Sequence, residues 1–296
     1  NLSNNKTPPI KINITKKILP IEYKMPIDSA QIKSSIILAG LYAESETTII
    51  ENTPTRDHTE NMVNFLNGNI TRENNKIIID PKYKLISRDI DIPGDISSAM
   101  FLIVACLIAK NSEIIIKNVG LNTLRTGGIE ILKLMGAKIT VLNMKKSGPE
   151  KFGDIKVMSS KLKGIDIPQK YVASAIDEFP IIFIAAANAS GNTILKNAEE
   201  LRYKESDRLN TMSQGLSKCN INNKLLNDGI EIEGGVMDGA VINSFDDHRV
   251  AMSFLIAGIS AKNPITVLNT KNISTSFPNF FSLIKEMGIN IIRENN

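Results

Sequence analysis

The stretch Ser174-Ala-Ile-Asp-Glu-Phe-Pro-Ile-Ile-Phe-Ile-Ala-Ala-Ala187 joins a polar helix start, marked by Asp177, to an apolar run over Phe179–Ala187. A helix that is apolar all round belongs in an interior. Outward from it come a strand at Thr193–Leu195, an amphipathic helix over Lys204–Leu216, and strands near Ile230–Glu233 and Ala240–Ile242. The same order occurs three more times. Asp28-Ser-Ala-Gln31 opens the apolar run Ile32–Ala43, followed by strand Thr47–Glu51 and helix Arg56–Leu66, with Thr55 as N-cap. Lys76–Asp80 and Tyr83–Ile90 then read as a hairpin-like pair around Pro81. Gly94-Asp-Ile-Ser-Ser98 opens Ala99–Ala109, before strand Glu113–Lys117 and a helix over Arg125–Met135 that stops at Gly136. Strands follow at Ala137–Leu142, Asp154–Met158 and Gly164–Ile167. Asp246-Asp-His-Arg249 opens the fourth copy, with helix Ala251–Ile259, strand Ile265–Leu268, Ser276-Phe-Pro278 and helix Asn279–Met287.

The polar anchors Asp28, Asp95, Asp177 and Asp247 recur every ~70–80 residues, a period that argues for duplicated α/β subdomains rather than a short-repeat solenoid. In each copy the apolar first helix is expected to be buried and the amphipathic second helix more exposed. The four polar helix starts are expected to face a shared cleft, because helix N-termini collect anions. Ahead of the first copy, Asn1–Thr7 is polar and expected to fray, and Ile10, Ile12, Ile14 and Ile18–Ile21 read as strand material.

The densest charge lies in Leu201-Arg-Tyr-Lys-Glu-Ser-Asp-Arg-Leu-Asn210. If Lys204 or Glu205 opens the following helix, Lys204, Glu205 and Arg208 share one face. Two cations and a carboxylate at a helix start suit a phosphate or carboxylate ligand. A solvated, salt-bridged first turn accounts for the same residues equally well.

Composition narrows the classes. The 296 residues are 42% hydrophobic and 22% charged, an ordinary globular balance with room for a large core. Only 5% are aromatic and Trp is absent, so that core rests on aliphatic side chains. The net charge of +4 suits an anionic small molecule, and the basic residues form no block of the kind that tracks nucleic acid. Cys106 and Cys219 sit in apolar runs and read as reduced core thiols of a cytoplasmic protein. Neither a secretory signal nor an apolar span of ~20 residues is seen, so no membrane insertion is expected.

Several stretches, in order along almost the whole chain, resemble the 5-enolpyruvylshikimate-3-phosphate synthase family. They are Pro26-Ile-Asp-Ser-Ala-Gln-Ile-Lys-Ser34, Thr55-Arg-Asp-His-Thr-Glu60, Pro93-Gly-Asp-Ile-Ser-Ser98, Glu200-Leu-Arg202 with Lys204-Glu-Ser-Asp-Arg208, Asp247-His-Arg-Val-Ala-Met252 and Ser276-Phe-Pro278. The resemblance implies transfer of the enolpyruvyl group of phosphoenolpyruvate to the 5-hydroxyl of shikimate 3-phosphate, releasing phosphate, with no metal or organic cofactor. It implies an enolpyruvyl transferase fold, an inside-out α/β barrel of two globes built from repeated βαβαββ-type units, and a monomer. Residues 1–91 would be the C-terminal part of the first-substrate globe, which is then incomplete, and 92–296 most of the second. The family's early substrate loops are absent, which at this repeat length corresponds to roughly two units or about 140 residues.

The resemblance also assigns roles. Asp177 matches the proton acceptor at the target hydroxyl, and Glu205 the acid/base for the methylene carbon. Arg208 and Arg249 match the pair that grips phosphoenolpyruvate, supported by Asp247 and His248, with Lys204 a substrate ligand. Ser29 and Gln31 match positions that hold shikimate 3-phosphate; Thr55 replaces a common Ser at another. Ala30 and Thr275 depart from the pattern, and His58 reads as helix-start scaffolding. Two carboxylates and several cations suit this chemistry, since protons must be moved while phosphates and a carboxylate are held. The alternatives are the sister UDP-N-acetylglucosamine enolpyruvyl transferase, which lacks these charged motifs, and a non-catalytic truncated remnant.

Overall fold

The computed structural model describes residues 16–293, so the expectations for Asn1–Thr7 and Ile10–Ile14 lie outside the described residues. The chain divides after Ile90 into two compact units. The first holds β1 (Glu22–Lys24), α1 (Ala30–Gly40), β2 (Thr47–Ile50), α2 (His58–Phe65), β3 (Asn69–Glu73) and β4 (Lys76–Asp80). Its sheet runs β1-β2-β4-β3, with β1 parallel to β2 and the other pairs antiparallel.

The second unit opens with α3 (Ile96–Ile108), β5 (Glu113–Gly120), α4 (Gly127–Leu134), β6 (Lys138–Ser147) and β7 (Glu150–Met158). It continues with α5 (Phe179–Ala187), β8 (Asn192–Leu195), α6 (Arg208–Lys218), β9 (Asn223–Leu225) and β10 (Ile230–Glu233). It closes with β11 (Val241–Asn243), α7 (His248–Ala257), β12 (Thr266–Leu268), α8 (Ile273–Ser276) and α9 (Phe280–Glu286). Its sheets run β5-β7-β6, β8-β10-β9 and β11-β12.

The fourfold recurrence is visible in the pairing. Around each apolar first helix, the segment before it lies parallel to the strand after it. This holds for β1 and β2 around α1, Gly94 and Val119 around α3, Asp166 and Ile194 around α5, and β11 and β12 around α7. A parallel pair needs such a crossover, and a helix is its usual form. In the second unit α3, α5 and α7 pack on one another, and every residue of α5 is buried. Phe179, Phe183, Phe254 and Phe280 fill this core together with Ile, Leu, Val, Met and Ala. Cys106 and Cys219 are buried free thiols within it, and burial pushes the Cys219 thiol up to about 11.

Several expectations need correction. The apolar first helix is not buried in every copy: α1 buries only Lys33, Ile37 and Gly40, and Leu38 is 54% exposed. Tyr83–Ile90 is not a strand. β4 instead pairs with β3, whose polar Asn-Ile-Thr-Arg-Glu carries little strand signal. The turn between them passes through Asn74 at φ 55°, in the left-handed region that Asn tolerates. Gly164–Ile167 is not a strand: Asp166 makes an isolated bridge to Ile194, and Lys163 just before the segment makes another to Ser190.

Two helix starts also moved. Thr55 does not cap α2, which begins at His58, because its hydroxyl donates to Glu51 instead. Neither Lys204 nor Glu205 opens α6, which starts at Arg208 after Asp207; the Asp207 carboxylate accepts from the Asn210 N–H at 3.0 Å.

Candidate active site

In the second unit the starts of α3, α5, α6 and α7 are joined by one set of charged contacts. Asp247 is the N-cap of α7: its Oδ1 accepts from the N–H groups of Arg249 and Val250 at 2.9 and 3.4 Å. Its Oδ2 accepts from Ser206 Oγ at 3.0 Å and from Arg208 Nε at 2.8 Å. Arg208, the first residue of α6, is only 1% exposed and lies with Nη2 2.6 Å from Glu205 Oε2 and Nη1 3.7 Å from Asp177 Oδ1. Burial alone would push the Asp247 carboxyl up. The Arg208 guanidinium and the hydrogen bonds from Arg208, Ser206 and the Arg249 N–H outweigh it and hold that carboxyl below the ordinary range.

Asp177 lies in a short 3-10 stretch, Ala173–Glu178, that feeds α5. Lys204 Nζ is 3.6 Å from its Oδ1, and Arg249 Nη1 donates to its backbone carbonyl at 2.9 Å. Lys204 also pairs with Glu200. His248 Nδ1 stands 3.9 Å from Glu205 Oε1. Burial, reinforced by Arg249, pushes the His248 pKa below its ordinary value, so the imidazole is neutral at pH 7. Asp177, Lys204, Glu205, Arg208, Asp247, His248 and Arg249 are therefore brought together. Within this set Glu205 is the most open side chain, at 49%.

The sequence reading missed the residues behind this set. Glu178, 2% exposed, lies 3.8 Å from Arg249 Nη1 and accepts a hydrogen bond from Ser97 Oγ. Arg125 Nη2 donates to that Ser97 oxygen at 2.7 Å and to Asp95 Oδ1 at 2.8 Å. A carboxylate directly before an all-apolar helix was the available signal for Glu178: it could be buried there only with partners. Asp95 caps α3 through the Ser98 N–H at 2.9 Å, as its place in the repeat suggested.

In the first unit Ser29 is the N-cap of α1, accepting from the Ile32 N–H at a long 3.5 Å and donating to Gln31 Oε1 at 3.1 Å. Asp28 accepts from the N–H groups of Asn52 and Thr53, both at 2.8 Å, which draws the loop before Thr55 toward this helix start. Thr55 is held on both sides: its N–H and hydroxyl donate to Glu51 Oε2 at 3.3 and 3.0 Å, and its carbonyl accepts from Lys33 Nζ at 3.1 Å. Ser29, Gln31 and Thr55 thus belong to one local assembly. His58 is the first residue of α2, and Thr275 lies in α8 with its hydroxyl donating to the Asn272 carbonyl at 2.8 Å.

With its repeated parallel crossovers, the chain has the fold of the enolpyruvyl transferase class. The enolpyruvyl transferase NikO from Streptomyces tendae superposes with a TM-score of 0.76 at 14% identity, over 95% of this chain and 67% of its own, a likeness of fold alone. Within that class the chain belongs to the EPSP synthase (3-phosphoshikimate 1-carboxyvinyltransferase) family, whose sequence profile matches residues 1–284. It is 46% identical to the 3-phosphoshikimate 1-carboxyvinyltransferase of Coxiella burnetii (strain RSA 331 / Henzerling II) over 289 residues, covering 98% of this chain and 66% of that protein. The EPSP synthase structure from Acinetobacter baumannii superposes with a TM-score of 0.92 at 44% identity, over 99% of this chain and 68% of its own. This chain thus spans just under two thirds of the length of the Coxiella relative. Among the described residues, no helix is long and apolar enough to cross a membrane.

Proposed function

We propose that this chain supplies most of the catalytic groups of a 3-phosphoshikimate 1-carboxyvinyltransferase, which moves the enolpyruvyl group of phosphoenolpyruvate onto the 5-hydroxyl of shikimate 3-phosphate and releases phosphate. The observation that carries this reading is the gathering of Asp177, Lys204, Glu205, Arg208 and Arg249 at adjoining helix starts. On this reading Asp177 accepts the proton of the attacking hydroxyl, with Lys204 Nζ 3.6 Å from its Oδ1. Glu205 delivers a proton to the methylene carbon and later removes one. Arg208 and Arg249 hold the phosphate and carboxylate of phosphoenolpyruvate, which planar guanidinium groups grip with paired hydrogen bonds. Asp247 aims Arg208, and neutral His248 sits behind Glu205.

Among the ion pairs of the described residues, carboxylates outnumber cations around this cluster: Asp177, Glu178, Glu200, Glu205 and Asp247 stand against Lys204, Arg208 and Arg249. An anionic substrate therefore enters by exchange. It displaces exposed Glu205 from Arg208 and leaves that carboxyl free for proton transfer. In the first unit, Ser29 and Gln31 hold shikimate 3-phosphate together with Thr55. Because Thr55 donates its hydroxyl hydrogen to Glu51, it meets the substrate as an acceptor, toward a ring hydroxyl rather than a phosphate oxygen. The same reading makes the protein a cytoplasmic monomer that needs no metal or cofactor for this step toward aromatic amino acids.

The test is phosphate release from phosphoenolpyruvate with shikimate 3-phosphate, using the chain alone and mixed with the N-terminal third of a full-length relative. Release dependent on shikimate 3-phosphate in either format supports the reading. Its absence in both, from a chain shown to be folded by circular dichroism, would leave a non-catalytic member of the family.

A further inference from the structure

We propose that Arg202 is a positioning residue: with the turn Leu226–Gly229 it forms a clamp that fixes Lys204 and Glu205 beside Asp177 and Arg208. The inference deepens the reading above and rests on it for what those residues do. Lys204–Ser206 lie between a 3-10 turn (Glu199–Tyr203) and α6, outside any regular element. A segment of that kind has no helical or sheet ladder to hold it, and two proposed active groups sit on it.

The guanidinium of Arg202 is directed at three acceptors on two sides. Nε donates to the Asn227 carbonyl at 2.8 Å and Nη2 to the Leu226 carbonyl at 2.7 Å. Nη1 donates to Asp207 Oδ2 at 2.8 Å, while the other oxygen of Asp207 caps α6. One side chain therefore ties the segment before Lys204 and the cap after Glu205 to the same turn. The turn grips the incoming chain as well: Asp228 accepts from the Asn197 N–H through Oδ2 and from the Ala198 N–H through its carbonyl, each at 2.7 Å. It is itself closed by the Leu226 N–H donating to the Gly229 carbonyl at 2.9 Å and is seated at the end of the β9–β10 pair. Gly229 is needed there, since a Cβ would lie 1.9 Å from the Leu195 carbonyl oxygen. With every nitrogen of Arg202 engaged in this way, its task is to place its neighbours rather than to meet an anion.

The test compares the wild-type chain with Arg202→Met and Arg202→Lys by amide hydrogen exchange and by calorimetric titration of phosphoenolpyruvate in the presence of shikimate 3-phosphate. In Arg202→Met, exchange at residues 203–207 should quicken while α5 and α7 keep their protection, and binding should weaken by roughly tenfold to a hundredfold, the scale of a small misplacement of active groups. Arg202→Lys should fall between, because one ammonium cannot serve three acceptors in the guanidinium plane. Unchanged affinity in Arg202→Met, or quickened exchange spread equally through α5 and α7 in both variants, would overturn the clamp. If the wild type itself takes up no phosphoenolpyruvate, the functional reading fails and exchange decides the clamp alone: quickening confined to 203–207 upholds it, and none refutes it.

Discussion

Among the described residues, each unit buries one cation among carboxylates, and the two cations are used differently. Lys33 on α1 is fully buried, 2.7 Å from Glu60 and 3.4 Å from Glu51, with a further hydrogen bond to the Thr55 carbonyl. Arg72 joins Glu51 from the far side. The carboxylate partners of Lys33, Glu51 and Glu60, have no proposed substrate role, so the cluster fastens the Thr55 loop. Arg208 is as deeply buried, and Asp247 takes its Nε, yet Nη2 reaches a half-exposed carboxylate and Nη1 points toward Asp177. Burial of a charge therefore does not by itself mark a site. What separates the two is a partner that water can reach, the one that on the proposed reading a ligand replaces.

The contrast is broken most directly at the groups it makes functional. Asp177→Ala and Glu205→Ala should each lower turnover by about 10²–10⁴-fold, the usual scale of a lost proton-transfer group, with thermal melting little changed. Turnover retained in both would remove the roles from these carboxylates and leave Arg208 no different in kind from Lys33. Next comes Asp247→Ala, which takes from Arg208 its fully buried partner and leaves it Glu205 and Asp177, and should cost about 3 kcal/mol in urea unfolding, the low end for a broken buried pair. Lys33→Met should likewise cost about 3 kcal/mol, because Arg72 still serves Glu51. It should melt the first unit and leave hydrogen exchange in α5 and α7 untouched. If Lys33→Met instead proves neutral, the cluster contributes specificity without stability.

The legibility of the chain follows the same division. The four repeats were readable because an Asp or Ser cap before an apolar run is a local signal, and Asp95, Ser29 and Asp247 are the observed caps of α3, α1 and α7. The burial of those helices was not local. Phe179–Ala187 is enclosed because α3 and α7 lie against it, whereas Leu38 on α1 remains exposed although Ile36, Ile37 and Ala39 flank it in sequence. Around the site, motif residues could be named, but the start of α6 was misplaced. Its cap is Asp207, a local signal of the same kind, but the contact of Arg202 with Asp207 and with a turn some 20 residues later is encoded by no helical period. β3 was missed for a related reason: Asn64 brackets Ile70 with two hydrogen bonds, so tertiary contact does what strand propensity does not.

A gentler probe uses pH. His248 has its pKa held below the ordinary 6.5 in the folded chain, so on acidification the unfolded chain takes up that proton first. Stability is then complete above about pH 6.5 and declines as pH falls toward the folded value. His248→Asn should flatten this part of a urea-midpoint profile taken between pH 5 and 8. The Asp247 contribution lies at lower pH, because its carboxyl is held below the ordinary 3.8 in the folded chain and that stability is lost as pH falls through the folded value. A profile unchanged by His248→Asn would mean that the imidazole is no more buried in solution than an ordinary surface histidine.

The smallest effect belongs to Ser29. Both Ser29 and Asp247 cap a first helix of the repeat, but Asp247 also holds a buried guanidinium, whereas Ser29 has a 3.5 Å bond to Ile32 and a contact with the Gln31 side chain. Ser29→Ala should therefore cost only about 0.5 kcal/mol of stability, the low end for a lost serine cap. If Ser29 also meets shikimate 3-phosphate, the same change should weaken binding of that ligand by more than its effect on folding. Titration calorimetry beside urea unfolding separates the two. A stability loss of about 2 kcal/mol, at the top of the capping range, with unaltered affinity would make Ser29 a structural cap of the Asp247 kind. The substrate role would then rest on Gln31 and Thr55 alone.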